Sequence, residues 1–253
     1  MKIGSLFSGI GGLELGLERS IPGAHTVFQV EQDPYARAVL AKHWPNVKRY
    51  EDVRQVGAHN LPACDLLCGG FPCQDLSIAG KGAGLDGARS GLWTEYARII
   101  RELRPRFVVV ENVTALLNGG MGRVLGDLAA CGYDAIWDCI PAAAVGAPHR
   151  RDRLFLVAYT NGGSVHAKQE LRQKCSCPVE SIRHGHTQRV VNTNPWRSAV
   201  HKSRHWEVSA GVDRVVDGAG SWLERHRAIG NAVVPQVAEV VGRVVLQLAG
   251  GAP

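Results

Sequence analysis

A cysteine set between a proline and a glutamine is the residue of this sequence best suited to covalent chemistry. In Cys68-Gly69-Gly70-Phe71-Pro72-Cys73-Gln74, the apolar run 64–68 reads as a short buried strand. Gly69-Gly70 lets the backbone turn, and Pro72 fixes φ immediately before the thiol. Residues 78–87 are glycine-rich, the composition of a mobile lid over a site. A lone cysteine at a strand end is more often a small buried apolar residue. The proline before it and the glycine flap after it favour a nucleophile held on a rigid strand end.

Three acids and two arginines carry the remaining chemistry. Phe107-Val108-Val109-Val110 is a buried strand running straight into Glu111. In an open parallel sheet the strand carboxyl ends converge on one crevice, which should make Glu111 a neighbour of Cys73. Glu31 ends a second strand, 26–30, some twenty residues after the turn Phe7-Ser8-Gly9-Ile10-Gly11-Gly12. A glycine turn between a first strand and a helix is where such sheets hold a phosphate, ribose or amino-acid group, and an acid at the next strand tip suits ribose hydroxyls. Asp52 is placed to accept from an adenine amino group. Arg151 and Arg153, two apart beside the strand 154–158, would share one face and aim donors at one anion or carbonyl.

The elements that must position these residues alternate regularly. Strands are expected at 2–7, 26–30, 64–68, 107–110, 135–140 and 154–158, with helices from residue 13 and at 34–43, 92–103, 121–131 and 236–248. Hydrophobic content of 45% and charged content of 21% exclude a disordered chain. No apolar run looks long enough for a membrane span, and a strand pattern at Lys2 leaves no space for a leader. Seven scattered cysteines suit a reducing, cytoplasmic setting. A net charge of +6 is compatible with a polyanionic partner.

Taken in order, Phe7–Gly12, Glu31, Asp52, Pro72-Cys73-Gln74, Glu111-Asn112-Val113, Arg151-Asp152-Arg153 and Gly230-Asn231-Ala232-Val233-Val234-Pro235 resemble the motifs of the DNA (cytosine-5)-methyltransferases. The resemblance covers about residues 3–158 and 226–248. It implies an α/β, Rossmann-like, mostly parallel sheet of the S-adenosylmethionine-dependent methyltransferases, with a small target-recognition insertion. Residues 1–159, completed by 226–253, would form the catalytic and cofactor-binding domain, and 160–225 the target-recognition region. Cys73, Gln74, Glu111, Arg151 and Arg153 would form the catalytic set. The cofactor S-adenosyl-L-methionine, leaving as S-adenosyl-L-homocysteine, would be held by Phe7, Gly9, Ile10, Gly11, Gly12, Glu31, Gln32, Asp52, Val53, Gly70, Pro72, Asn231, Ala232 and Val233. One departure is Gln32, where the family often carries an aromatic residue to stack on adenine.

The same resemblance implies double-stranded DNA as partner, a monomer, and a cognate restriction endonuclease acting separately. Residues 160–225 are basic, with histidines and with Trp196, Trp206 and Trp222 interleaved, which suits phosphate contacts. Cys175, Cys177, His184 and His186 lie close together, but ligands one apart are not finger spacing, and no metal is expected. Two other functions share the motifs: a tRNA cytosine-5 methyltransferase and a catalytically silent DNA-binding regulator.

Overall fold

Seven strands build one sheet: β1 (Lys2–Leu6), β2 (His25–Val30), β3 (Lys48–Tyr50), β4 (Leu66–Gly69), β5 (Phe107–Val113), β6 (Tyr133–Pro141) and β7 (Asp152–Thr160). The structure is a computed structural model that describes residues 1–72, 91–160, 196, 199, 224 and 227–250. Strand order is β3-β2-β1-β4-β5-β7-β6. The β1–β2, β2–β3, β1–β4 and β4–β5 pairings are parallel, while β7 runs antiparallel to both β5 and β6. The expected mostly parallel α/β sheet is therefore present, with β7 as its one reversed strand.

Helices cover both faces. On one, α3 (Gly91–Leu103) and α4 (Met121–Ala130) pack Trp93, Tyr96, Ile100, Val124 and Leu128 onto Leu6, Leu67, Val108 and Leu156. The Tyr96 hydroxyl, fully buried, donates to the Val109 carbonyl at 3.0 Å and so fixes α3 over β5. On the other face, α1 (Gly12–Ser20) and α5 (Pro235–Leu248) cover Ile3, Leu66, Cys68, Val109 and Val157. The helix α2 (Pro34–His43) starts at Asp33, whose side chain accepts from the Ala36 N–H, with proline at its first turn. These are the boundaries a sequence pattern of period 3.6 implies. Strands β6 and β7 extend further than expected because their pairing continues from Tyr133↔Thr160 to Pro141↔Asp152.

The last helix differs from the sequence expectation in one respect. Residues 227–248 are long and apolar enough to cross a membrane by length and composition, although no such run was expected. Val240, Val241, Val244 and Val245 are nevertheless fully buried in the core, and each contributes about 1.5–3 kcal/mol. The helix α5 packs chiefly along α1 and also touches β7. Trp196 and Ala199, from the segment expected to recognise DNA, are also buried in this cluster, and Arg243 donates to the Ala199 carbonyl at 2.8 Å. The rest of residues 160–225, save Thr160 and Glu224, lies outside the described residues.

Two glycines allow α1 and α5 to approach. A methyl group on Gly16 would strike the Pro235 carbonyl and Ala238, and one on Gly242 would strike Ser20. Because the obstruction at Gly16 includes backbone, a rotamer change cannot relieve it. Gly16→Ala should therefore destabilise the protein by about 1–3 kcal/mol, the usual cost of overpacking. Thermal unfolding is expected to show a midpoint several degrees lower; an unchanged midpoint would mean that the two helices are free to separate.

Candidate active site

Strand β1 runs into Phe7, whose φ of 54° is left-handed and unusual for a bulky residue. The turn after it uses Gly9 at φ 55° and Gly11 at 87°, and closes with the Gly11 N–H on the Ser8 carbonyl at 3.0 Å. It delivers the chain to the start of α1, beside the β1–β4 boundary where the strand order reverses. Ligands of open α/β sheets bind at that point. Glu31 braces the turn: its carboxylate accepts from the Gly9 N–H at 2.7 Å and from the Asp33 N–H at 2.8 Å.

A solvent-open cleft of about 380 Å³ lies here. Phe7, Gly9, Ile10 and Gly12 line it from the turn, Gly70 from beyond β4, Glu111 from β5, and Asn231, Ala232 and Val233 from the segment before α5. A methyl group on Gly12 would strike the Val233 carbonyl, so the two segments meet backbone to backbone. The other expected cofactor residues do not line this cleft. Gly11 packs under the Trp44 ring. The Gln32 carbonyl accepts from Arg37 at 2.7 Å. Asp52 caps the short turn Val53–Gln55, and hydrogen bonds from the Arg54 side chain and N–H hold its carboxyl below the usual range. The Val53 carbonyl accepts from Arg98 of α3 at 3.2 Å.

The approach to the expected nucleophile is described; Cys73 and Gln74 themselves lie outside the described residues. The Asn112 side chain, buried behind Glu111, donates to the Phe71 carbonyl at 3.1 Å and so ties the residues before Pro72 to the tip of β5. A methyl group on Gly70 would come within 2.5 Å of a Glu111 carboxylate oxygen. Glu111 thus lies against the turn that leads to Cys73. Cys64, Cys68 and Cys139 are poor nucleophiles. Burial pushes the Cys64 thiol up to about 12 and raises those of Cys68 and Cys139 above the usual range.

Burial also raises the Glu111 carboxyl to about 7, against the opposing pull of Arg153 and Arg151. Arg153 pairs with it at 3.3 Å. The sequence expectation that both arginines share one strand face is corrected here. Arg151 precedes β7 with a left-handed φ of 38°, and its guanidinium donates to the Ala232 carbonyl at 2.6 Å. One arginine therefore holds the acid, while the other holds the 231–233 segment. Because β7 is antiparallel, its first residues rather than its last reach the carboxyl edge, with Arg153 opposite Val113.

Two residues of the site carry no obvious sequence signal: Ser5 and Glu14. Glu14 looks like one of the solvated acids of a Leu-Glu-Leu-Gly-Leu-Glu helix, yet it is fully buried on the cleft wall. No cluster of three metal-ligating side chains occurs among the described residues, and Cys175, Cys177, His184 and His186 fall outside them.

The sequence model of the C-5 cytosine-specific DNA methylases matches residues 1–210, most of the chain. The chain belongs to that family. The type II methyltransferase M2.BsuMI of Bacillus subtilis (strain 168) is 42% identical over 166 residues, 62% of this chain and 42% of that protein. The type II methyltransferase M.HhaI of Haemophilus parahaemolyticus is 34% identical over 160 residues, 62% of this chain and 48% of its own. The chain thus spans about half the length of the curated relatives it matches. Among solved structures, the Entamoeba histolytica methyltransferase EhMeth aligns over 98% of both chains with a TM-score of 0.65 at 15% identity, a likeness of fold.

The raised Glu111 carboxyl has a consequence for stability in this member of the family. Its folded value of about 7 lies above the 4.5 of a free glutamate, so its contribution is fully present below 4.5 and lost as pH rises through 7. Between pH 5 and pH 8 the wild type should lose stability relative to Glu111→Gln. Urea midpoints of both proteins at the two pH values would test this; a constant difference would mean that the carboxyl ionises freely.

Proposed function

We propose that the chain methylates carbon 5 of a cytosine in duplex DNA, through a transient bond between the Cys73 sulfur and carbon 6. The observation that supports this reading is the single cleft into which the glycine turn after β1, residues 231–233 and a protonatable Glu111 all open. Carbon 5 of cytosine is a weak nucleophile. Addition of a thiolate at carbon 6 moves an electron pair onto carbon 5. S-adenosylmethionine, when bound, supplies a methyl group on a sulfonium centre that this carbon can take. Loss of the carbon 5 proton to a base then expels the thiolate and restores the ring.

The residues divide the work. Glu111, held near neutrality by burial, can donate a proton to ring nitrogen 3 as charge builds there. Arg153 keeps that carboxyl oriented. Asn112 and Gly70 define where the chain before Cys73 runs. The glycine turn, Glu31 and residues 231–233 would hold the cofactor, with the lone pairs of Glu31 that the amides leave free available to ribose hydroxyls. The cleft fits such a group, because it combines amide-rich backbone at the start of a helix with a buried acid on one wall. A base inside a duplex cannot reach this cleft, so the target must swing out of the stack. The family is one of DNA methylases, and the tRNA reading is not favoured.

Bisulfite sequencing of DNA from cells expressing the chain should reveal methylated cytosines in one sequence context. Cys73→Ser should abolish them, and Glu111→Gln should reduce the rate at least about a hundredfold. Methylation that survives in Cys73→Ser would refute the covalent route, and labelled methyl groups entering only RNA would refute the DNA assignment.

A further inference from the structure

Glu14 is the buried group that the proposed chemistry leaves unused. It sits in the first turn of α1, with no exposed surface, and neither carboxylate oxygen has a hydrogen-bond partner among the described residues. The Ser8 hydroxyl beside it donates to Ser5 at 2.9 Å, and the two hydroxyls only partly offset the burial that raises the Glu14 carboxyl. Beneath it, Ser5 lies in register with Gln29 of β2 and Cys68 of β4, so no cation answers it from the sheet. A carboxyl group is disfavoured in such a place unless a partner arrives. Solvation cannot explain its position, and packing would be served better by an apolar residue.

The position on the cleft wall supplies the reason. Glu14 lines the same cleft as Gly9, Ile10 and Gly12, at the amino end of α1. A helix amino terminus offers N–H groups and partial positive charge to an anion. Two residues into the same helix stands an unpartnered acid. A ligand group with an anion and a cation on one carbon, the α-amino acid, matches this pair. We infer that Glu14 accepts the α-ammonium of the amino-acid moiety of the bound cofactor, while the turn at the start of α1 takes the α-carboxylate. This inference rests on the proposed use of S-adenosylmethionine. The carboxyl is pushed up to about 7 by burial, and a neighbouring ammonium is what would return it to the ionised form.

Calorimetric titration of the full-length protein with three ligands tests this. These are S-adenosylhomocysteine, its deaminated analogue and S-adenosylmethionine. The wild type should bind S-adenosylhomocysteine about tenfold to a hundredfold more tightly than the deaminated analogue, the range for a hydrogen bond to a charged group. In Glu14→Gln that preference should vanish, with affinity for both S-adenosyl ligands falling equally. A loss confined to S-adenosylmethionine would mean that Glu14 reads the sulfonium charge and would overturn the inference. So would a wild type that binds the deaminated analogue as well as S-adenosylhomocysteine, a measurement that needs no variant. A wild type that binds neither S-adenosyl ligand would overturn the cofactor assignment, and the inference with it. The thermal midpoint of ligand-free Glu14→Gln should be unchanged or higher, whereas a purely structural role would lower it and leave the ligand preference intact.

Discussion

The pairing of Arg153 with Glu111 depends on one reversed strand. In a wholly parallel sheet, every residue at the carboxyl edge follows its strand, and a residue that opens a strand lies at the opposite edge. Because β7 runs against β5, Arg153 near its start stands opposite Val113, two residues past the acid, and its guanidinium reaches back. This geometry places a fixed positive charge beside a carboxyl that burial would otherwise keep neutral throughout the physiological range. The value of about 7 is the balance of the two effects, and it suits a group that must alternate between donor and acceptor.

The same reversal links the active edge to the end of the chain. Arg151, just outside β7, reaches the Ala232 carbonyl, so the strand that supplies one arginine to Glu111 supplies another to the segment on the far side of the cleft. That segment is held against Gly12 by the approach of α5 to α1, which needs glycine at positions 16 and 242. Residues more than two hundred positions apart therefore form one wall. Its integrity depends on the valine-rich face of α5, whose apolar composition reflects burial against α1 and the sheet.

Much of this architecture was legible in the sequence. The period-2 and period-3.6 patterns located α2 and α3 within a residue, because their ends carry local signals such as Asp33-Pro34 and Arg104-Pro105. The glycine turn and Glu111 were legible because their chemistry depends on strand ends, which such patterns reveal. The direction of β7 was not, since antiparallel and parallel strands share the same apolar composition; nor was its start at Asp152, which leaves Arg151 outside the strand whose face it was expected to share. Nor was the burial of Trp196 legible: its neighbours are polar, and only the tertiary position of α5 explains why that side chain is covered. Glu14 was hidden for a similar reason. A glutamate between two leucines on a helix ordinarily faces water.

Glu111 and Glu14 open into one cleft from different elements, one at the end of β5 and the other in the first turn of α1. Burial raises both carboxyls to about 7, but their surroundings differ. Glu111 has an arginine at 3.3 Å that stays in place whatever binds, so its charge can change during a reaction without loss of position. Glu14 has two serine hydroxyls and a cysteine for company and no cation among the described residues, so a positive group that enters the cleft would complete it. A permanent partner suits an acid that must cycle, and a missing one suits an acid that must recognise. The two carboxyls can therefore share a titration range and still serve different steps.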